Sequence, residues 1–203
     1  MPAFRIVVDD VVVATISTDG HDIIAIRVAG QRHWEMPAML SADGGKYPKD
    51  APSTHLIWIP EQALRIGQRV DIDMLADGVT APPGRTIAEL YPDEPEVDKD
   101  YDFTLTDEKL AELAKLEVLH PRHAFEFRGS DGACLSARTQ LGDDGYSLTV
   151  LWDWARPAQA RLMLGSSNLA DARAGIERQY YARENLAVGA SISLLVKDAG
   201  PPH

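Results

Sequence analysis

The chain is short of cysteine, of basic residues and of long apolar runs, and each shortage argues against a class of function. Its single cysteine, Cys134, has no partner for an internal disulfide, which argues against a stapled secreted fold. Lysine and arginine number 20 against 31 acids, for a formal net charge of −11. Nucleic-acid binding needs clustered Lys and Arg to neutralise phosphates, so this balance speaks against it. The longest apolar stretch, Val11 to Ile16 counting Thr15, falls far below the ~20 residues that cross a bilayer as a helix. Met1-Pro2-Ala3 runs directly into strand-like sequence, and Asp9-Asp10 would interrupt a signal-peptide core. The expectation is a cytoplasmic protein that binds neither membrane nor nucleic acid. Strong catalytic motifs are missing too: there is no Gly-x-Ser-x-Gly elbow, phosphate-binding Gly-rich loop, Cys-x-x-Cys or His-Glu-x-x-His.

What is present is a phrase spoken twice. Phe4 to Val8, a turn at Asp9-Asp10, Val11 to Ile16, a turn at Asp19-Gly20 and Ile23 to Val28 form one series. Phe125-Glu126-Phe127, Ser130-Asp131-Gly132, Cys134 to Ala137, Gly142 to Gly145 and Tyr146 to Trp152 form the second. Each series closes alike, on Ala63 to Gly67 before Val70 to Met74 and on Asn185 to Gly189 before Ile192 to Val196. The offset is 121 residues at the start (4 to 125) and 122 at the close (67 to 189). Each copy is small enough that a lone core is marginal, so the copies should pack on each other.

The fold expected is α+β and mainly antiparallel β: two related β-β-β-(loop or helix)-β units packed together, with a connecting helix. Their bounds are 1–78 and 121–199, with a Pro- and acid-rich linker at 79–104 and the connecting helix at 105–120. Short Val- and Ile-rich runs between Asp and Gly turns read as hairpins. Asp9-Asp10 would be a two-residue turn pairing Val8 with Val11 and Ile6 with Val13. In the second unit, parity decides the turn. A three-residue loop, Ser130 to Gly132 with Gly132 left-handed, pairs Phe127 with Leu135 and Phe125 with Ala137. A two-residue turn would face Phe127 with Ser136. The longer loop also places Cys134 near Arg128 on the opposite face.

After the third strand the copies diverge. Asn168 to Glu184 has Leu169, Ala172, Ile176 and Tyr180 along one helical face, with Ser167 or Asn168 as N-cap. Gln31 to Thr54 carries Pro37, Pro48, Pro52 and Gly44-Gly45, which predict an ordered loop with one turn of helix near Glu35 to Leu40. His55 to Ile59 reads as a buried strand. Thr106 is an N-cap for a helix running to Leu119 and ended by Pro121.

Few residues carry chemistry on spacing alone. His120 and His123 stand three apart, but Pro121 pushes His120 out of helical conformation, so a helix C-terminus explains them better than a metal site. His21, His33 and His55 each stand alone beside a strand or turn. Asp98, Asp100 and Asp102 alternate like a calcium loop, yet Phe103 and Lys109 occupy positions where that loop needs Gly and Glu. Trp152 and Trp154 should share one buried face. Cys134 has one basic neighbour, too little to make it a nucleophile. No cofactor or metal is expected.

Charge is the most localised feature. Residues 91–108 hold eight acids against Lys99, which is seven of the eleven net negative charges. A solvated linker is the plain reading of such a run. The sharper one is a docking surface of Asp93, Glu94, Glu96, Asp98, Asp100 and Asp102 for a basic protein partner. The function expected is therefore that of a non-catalytic, immunity- or antitoxin-type interaction protein. The alternative is a small-molecule- or metal-binding enzyme with its site where the two units meet, using loop 31–54 with His33 and His55.

Overall fold

Alternating apolar and polar residues bury one face of a strand and wet the other, and two such sheets can close on their apolar faces. A computed structural model, which describes residues 1–93 and 104–200, shows this arrangement. The strands are β1 (Ala3–Val8), β2 (Val11–Ser17), β3 (Ile23–Gln31), β4 (Ala38–Lys46), β5 (Thr54–Leu64) and β6 (Arg69–Leu75) in the first half. In the second half they are β7 (Ala124–Arg128), β8 (Cys134–Arg138), β9 (Gly145–Asp153), β10 (Gln159–Ser167), β11 (Gln179–Ala187) and β12 (Ser191–Lys197). Three short helices complete the described chain: α1 (Ile87–Leu90), α2 (Asp107–Leu113) and α3 (Leu169–Arg173).

The strands form two six-stranded antiparallel sheets, ordered β2-β1-β6-β12-β7-β8 and β11-β10-β9-β3-β4-β5. Phe4, Ile6, Ile72, Phe125 and Leu194 from the first sheet meet Ile24, Leu40, Leu148, Trp152 and Leu164 from the second in a single sandwich core. Burying each such large apolar side chain contributes about 1.5–3 kcal/mol. Each sheet takes three strands from either half, so the core belongs to neither half alone.

The two halves share one register. Phe4 faces Ile16 and Phe125 faces Ala137; Ala38 faces Leu64 and Ala160 faces Leu186; Phe4 faces Met74 and Phe125 faces Val196. Where the halves meet, Asp71 pairs with Ser193 and Arg27 with Thr149. Each of these residues is the counterpart of its own partner, so a two-fold relation passes through both central strand pairs. Two buried threonines repeat the pattern. The Thr18 amide donates to the Pro2 carbonyl (2.9 Å) and the Thr139 amide to the His123 carbonyl (2.8 Å).

The turns agree with their chemistry. Asp9 and Asp10 adopt φ of 48° and 68° and pair Val8 with Val11, although a bulge after Ile6 brings Ala14, rather than Val13, opposite it. The Asp9 carboxylate accepts the Arg69 amide (2.9 Å) and the Gln68 side chain (2.8 Å), which holds its pKa below the usual carboxylate value. Gly132 takes φ of 82°, Phe127 faces Leu135, Phe125 faces Ala137 and Arg128 faces Cys134.

Several expectations are corrected. Each half has six strands. The stretch read as a loop contains β4, with Leu40 and Ala42 buried. Its Gly44-Gly45 pair makes no turn: a Cβ would lie 2.3 Å from the Ile23 carbonyl at Gly44 and 1.9 Å from the Thr54 carbonyl at Gly45. Those glycines let neighbouring backbones approach. The long helix expected over 168–184 is replaced by the five residues of α3 and then β11. None of α3 is buried and Ile176 is exposed, so the apolar stripe finds no core to rest on. The helix begun at Thr106 stops at Leu113 instead of Leu119. Trp152 is buried at 1 % exposure while Trp154 is 66 % exposed, because β9 ends between them.

Candidate functional site

Three regions merit a chemical reading. The first is the acidic connection. Thr86 caps α1 in a reciprocal pair with Glu89, whose carboxylate is lowered in pKa mainly by the Thr86 amide. Arg85 bridges to Ile57 of β5, at one edge of the second sheet. Thr106 caps α2, and Arg173 of α3 reaches both the Leu105 carbonyl and Asp107 (2.9 Å). The acidic run is thus tethered at both ends by capped helices. Glu89, Asp93, Asp107 and Glu108 are exposed. Glu94, Glu96, Asp98, Asp100 and Asp102 lie outside the described residues.

The second region is the wet outer face of the first sheet, where a groove of about 660 Å³ runs across β6, β12, β7 and β8. Most of its charges are already paired. Arg5 binds Asp73 (2.8 Å), Arg69 binds Asp71 (2.9 Å) and Asp10 (2.7 Å), and Lys197 binds Glu126 (2.8 Å). Ser191 donates to Asp73 as well. Exposed pairs of this sort add little stability, and they leave little unmet demand for a ligand.

The third region lies at one end of the sandwich, between the β3–β4 connection and the start of β7. Residues 117–120 are laid against that connection. The Leu119 and His120 amides donate to the Arg32 carbonyl (2.8 and 2.9 Å), and the His33 ring bonds the Glu117 carbonyl (2.8 Å). Arg32 is itself held by Asp144 (2.9 Å). Pro121 and Arg122 then lead to His123, whose amide donates to the Thr139 hydroxyl (2.9 Å).

His123 is 5 % exposed and Tyr146 3 % exposed, with ring centroids 5.2 Å apart. Tyr146 also stacks on Phe125 at 5.0 Å. Both rings lean into space that Gly30 leaves open, since a Cβ there would lie 2.7 Å from the Tyr146 ring and 2.9 Å from His123 Nδ1. Burial pushes the His123 pKa down to about 4, with His120 acting in the same direction and the Pro37 backbone opposing them. Burial likewise raises the Tyr146 hydroxyl well above its ordinary pKa. His123 Nε2, Tyr146 Oη and Arg122 Nε are buried without a hydrogen-bond partner. All three residues line a cavity of about 170 Å³.

This gathering was not expected from the sequence. His120 and His123 do come together, with centroids 5.7 Å apart, but as part of a Tyr- and Arg-containing pocket rather than a helix end. His33 and His55 stand at opposite ends of the nine-residue β4, about 30 Å of strand apart, and share no site. Among the described residues, no group of three or more His, Cys, Asp and Glu is placed to hold a metal, and no helix is long and apolar enough to cross a membrane. No family model matches this chain, and no curated protein or solved structure matches it either.

Proposed function

We propose that this is a non-catalytic, intracellular protein-interaction protein of the immunity or antitoxin kind, built by duplication of a six-stranded unit and engaging a basic partner through its acidic connection. The observation that carries the reading is the concentration of seven of the eleven net negative charges into residues 91–108. The charge is carried on a segment whose two ends are fixed by the Thr86 and Thr106 caps. Charge presented from a fixed base steers encounter and sets orientation, raising association rates about 10- to 10³-fold at low salt. The shared register of the halves supports duplication, and the lone exposed thiol of Cys134 suits a reducing compartment.

The test is a six-fold variant, Asp93→Asn, Glu94→Gln, Glu96→Gln, Asp98→Asn, Asp100→Asn and Asp102→Asn, used beside the parent chain as bait in extract of its own cells. The parent should retain a basic protein whose association slows steeply with added salt, and the variant should lose it. Retention of the same protein by the variant at unchanged affinity would overturn the reading.

A further inference from the structure

We propose that the flank of the sandwich between β8 and β11 is a docking site for an extended, acidic segment of a partner protein, seated there as residues 80–85 are seated on the first half. The site does not use the acidic connection.

Sheet edges present unpaired backbone donors and acceptors that an extended chain can join. The first half closes its edges with its own chain. β2 and β5 meet at that flank. The Thr15 amide donates to the Ala81 carbonyl (2.8 Å) and the Ala81 amide to the Thr15 carbonyl (2.9 Å). Further along, Ile57 and Arg85 exchange the same two bonds at 2.8 and 2.9 Å. One strap thus joins the edges of both sheets. Between its bridges it lies close on the core, where a Cβ at Gly84 would stand 2.8 Å from the Trp58 indole nitrogen.

The second half repeats these edges without the strap. Ser136 faces Glu126 as Thr15 faces Arg5, so its N–H and C=O also point away from the sheet. Tyr180 faces Gly165 as Ile57 faces Asp43, each beside a residue that bulges out of the ladder, Tyr181 or Trp58. Among the described residues, the isolated bridges are the two made by the strap, and neither Ser136 nor Tyr180 has an outward backbone partner. Exposure follows. Thr15 and Ser17 are partly buried, whereas their counterparts Ser136 and Arg138 are exposed. Trp58 and Ile16 are buried, whereas Tyr181 and Ala137 are only partly covered.

Charge defines the occupant further. The Ser17 amide donates to the Thr80 hydroxyl (3.0 Å), one residue ahead of the first bridge. The counterpart of Ser17 is Arg138, whose exposed guanidinium has no ion pair among the described residues. A carboxylate at the Thr80 position accepts from the Arg138 amide and offsets that cation. Arg183 of β11 is likewise exposed and without an ion pair, its guanidinium 4.6 Å from the Tyr180 ring. Glu184 beside it is engaged by the Ser130 amide (3.2 Å) and hydroxyl (3.1 Å).

The probe is a synthetic peptide of residues 77–90 carrying Thr80→Asp, titrated into the full chain and read by amide NMR and hydrogen exchange. In the free chain the Thr15 and Ile57 amides should be protected, while those of Ser136 and Tyr180 exchange freely. The peptide should bind with Kd at or below about 1 mM and protect the Ser136, Arg138 and Tyr180 amides. N-methylation of the peptide at Ala81 or Arg85 removes one backbone donor and leaves the protein unaltered; it should weaken binding at least about tenfold. A Thr80→Lys peptide should bind about tenfold more weakly at low salt. The proposal is overturned if the first peptide fails to bind at about 10 mM, if N-methylation or the lysine changes nothing, or if the peptide perturbs Thr15 and Ile57 instead. Protection of Ser136 and Tyr180 in the free chain also overturns it. With a dimer in sedimentation the occupant is then a second copy; without one, the chain closes its own edges.

Discussion

Replacing Tyr146 by phenylalanine should make this protein more stable, an unusual outcome for a substitution at 3 % exposure. The ring's contacts survive the change: the stack on Phe125 at 5.0 Å and the approach to His123 at 5.2 Å involve the ring alone. What disappears is a buried hydroxyl with no partner. Mutational series put the cost of such a group at about 1–3 kcal/mol. Removing one oxygen enlarges the void slightly, a loss of a few tenths of a kcal/mol at about 24 cal/mol per Å³. The net gain is about 1–2 kcal/mol, which for a domain of this size raises Tm by roughly 2–8 °C. Urea titration with an unchanged m-value, alongside calorimetry, measures it. A loss of stability would refute the argument, because the hydroxyl would then have a partner in the folded protein.

His123 supplies a pH prediction: burial lowers its pKa from 6.5 to about 4, so between those values the unfolded chain binds more protons than the folded one. Stability should therefore fall as pH drops through that window, by about 3 kcal/mol in total from this group, and H123N should remove that share of the slope while leaving His120 and Asp198 in place. The two equivalent threonines should respond unequally. Thr139→Val strands the buried His123 amide and costs about 1–3 kcal/mol, whereas Pro2 has no amide and Thr18→Val forfeits only a hydroxyl bond worth about 1 kcal/mol; parallel denaturant curves separate them, and equal losses would contradict the hydrogen-bond assignment. Gly30→Ala would place a methyl 2.4 Å from the Pro37 carbonyl, so it should cost at least about 1–3 kcal/mol and displace the Tyr146 and His123 resonances in NMR spectra.

The hairpins were legible because two independent signals agreed on them. Turn residues tolerant of positive φ sat where strand parity placed apolar residues on one face, as at Asp9-Asp10 and Ser130 to Gly132. The errors fell where one signal serves two purposes. Gly44-Gly45 between prolines resembles a turn, yet those glycines relieve crowding inside a sheet, a need set by β3 and β5 rather than by neighbours in sequence. Leu169, Ala172 and Ile176 keep a helical period, but a period stabilises nothing unless a core lies beneath it, and β11 is held instead by pairing with β10. The cavity was illegible locally, since His123 owes its environment to Gly30, Thr139 and Tyr146. One signal was present nonetheless: set against each other at the shared register, the halves place His123 where the first has Pro2 and Tyr146 where it has Ile24, polar groups at positions that the other half keeps apolar.

On the duplication proposed above, the way the halves join explains how that exchange became possible. A lone half would carry β2-β1-β6 and β3-β4-β5 with the inner edges of β6 and β3 unpaired, exposing rows of backbone donors and acceptors. Two identical halves would cure this by pairing counterpart with counterpart, as Asp71 with Ser193 and Arg27 with Thr149 do here. Such a homodimer has two identical ends, so a polar substitution at one is imposed on the other and its cost is doubled. Joining the halves through residues 76–124 keeps the pairing and removes that constraint. One end can then stay packed around Ile24 and Trp152 while the other takes up the buried polar groups of Tyr146 and His123. The stability lost at the polar end is carried by a core to which both halves contribute.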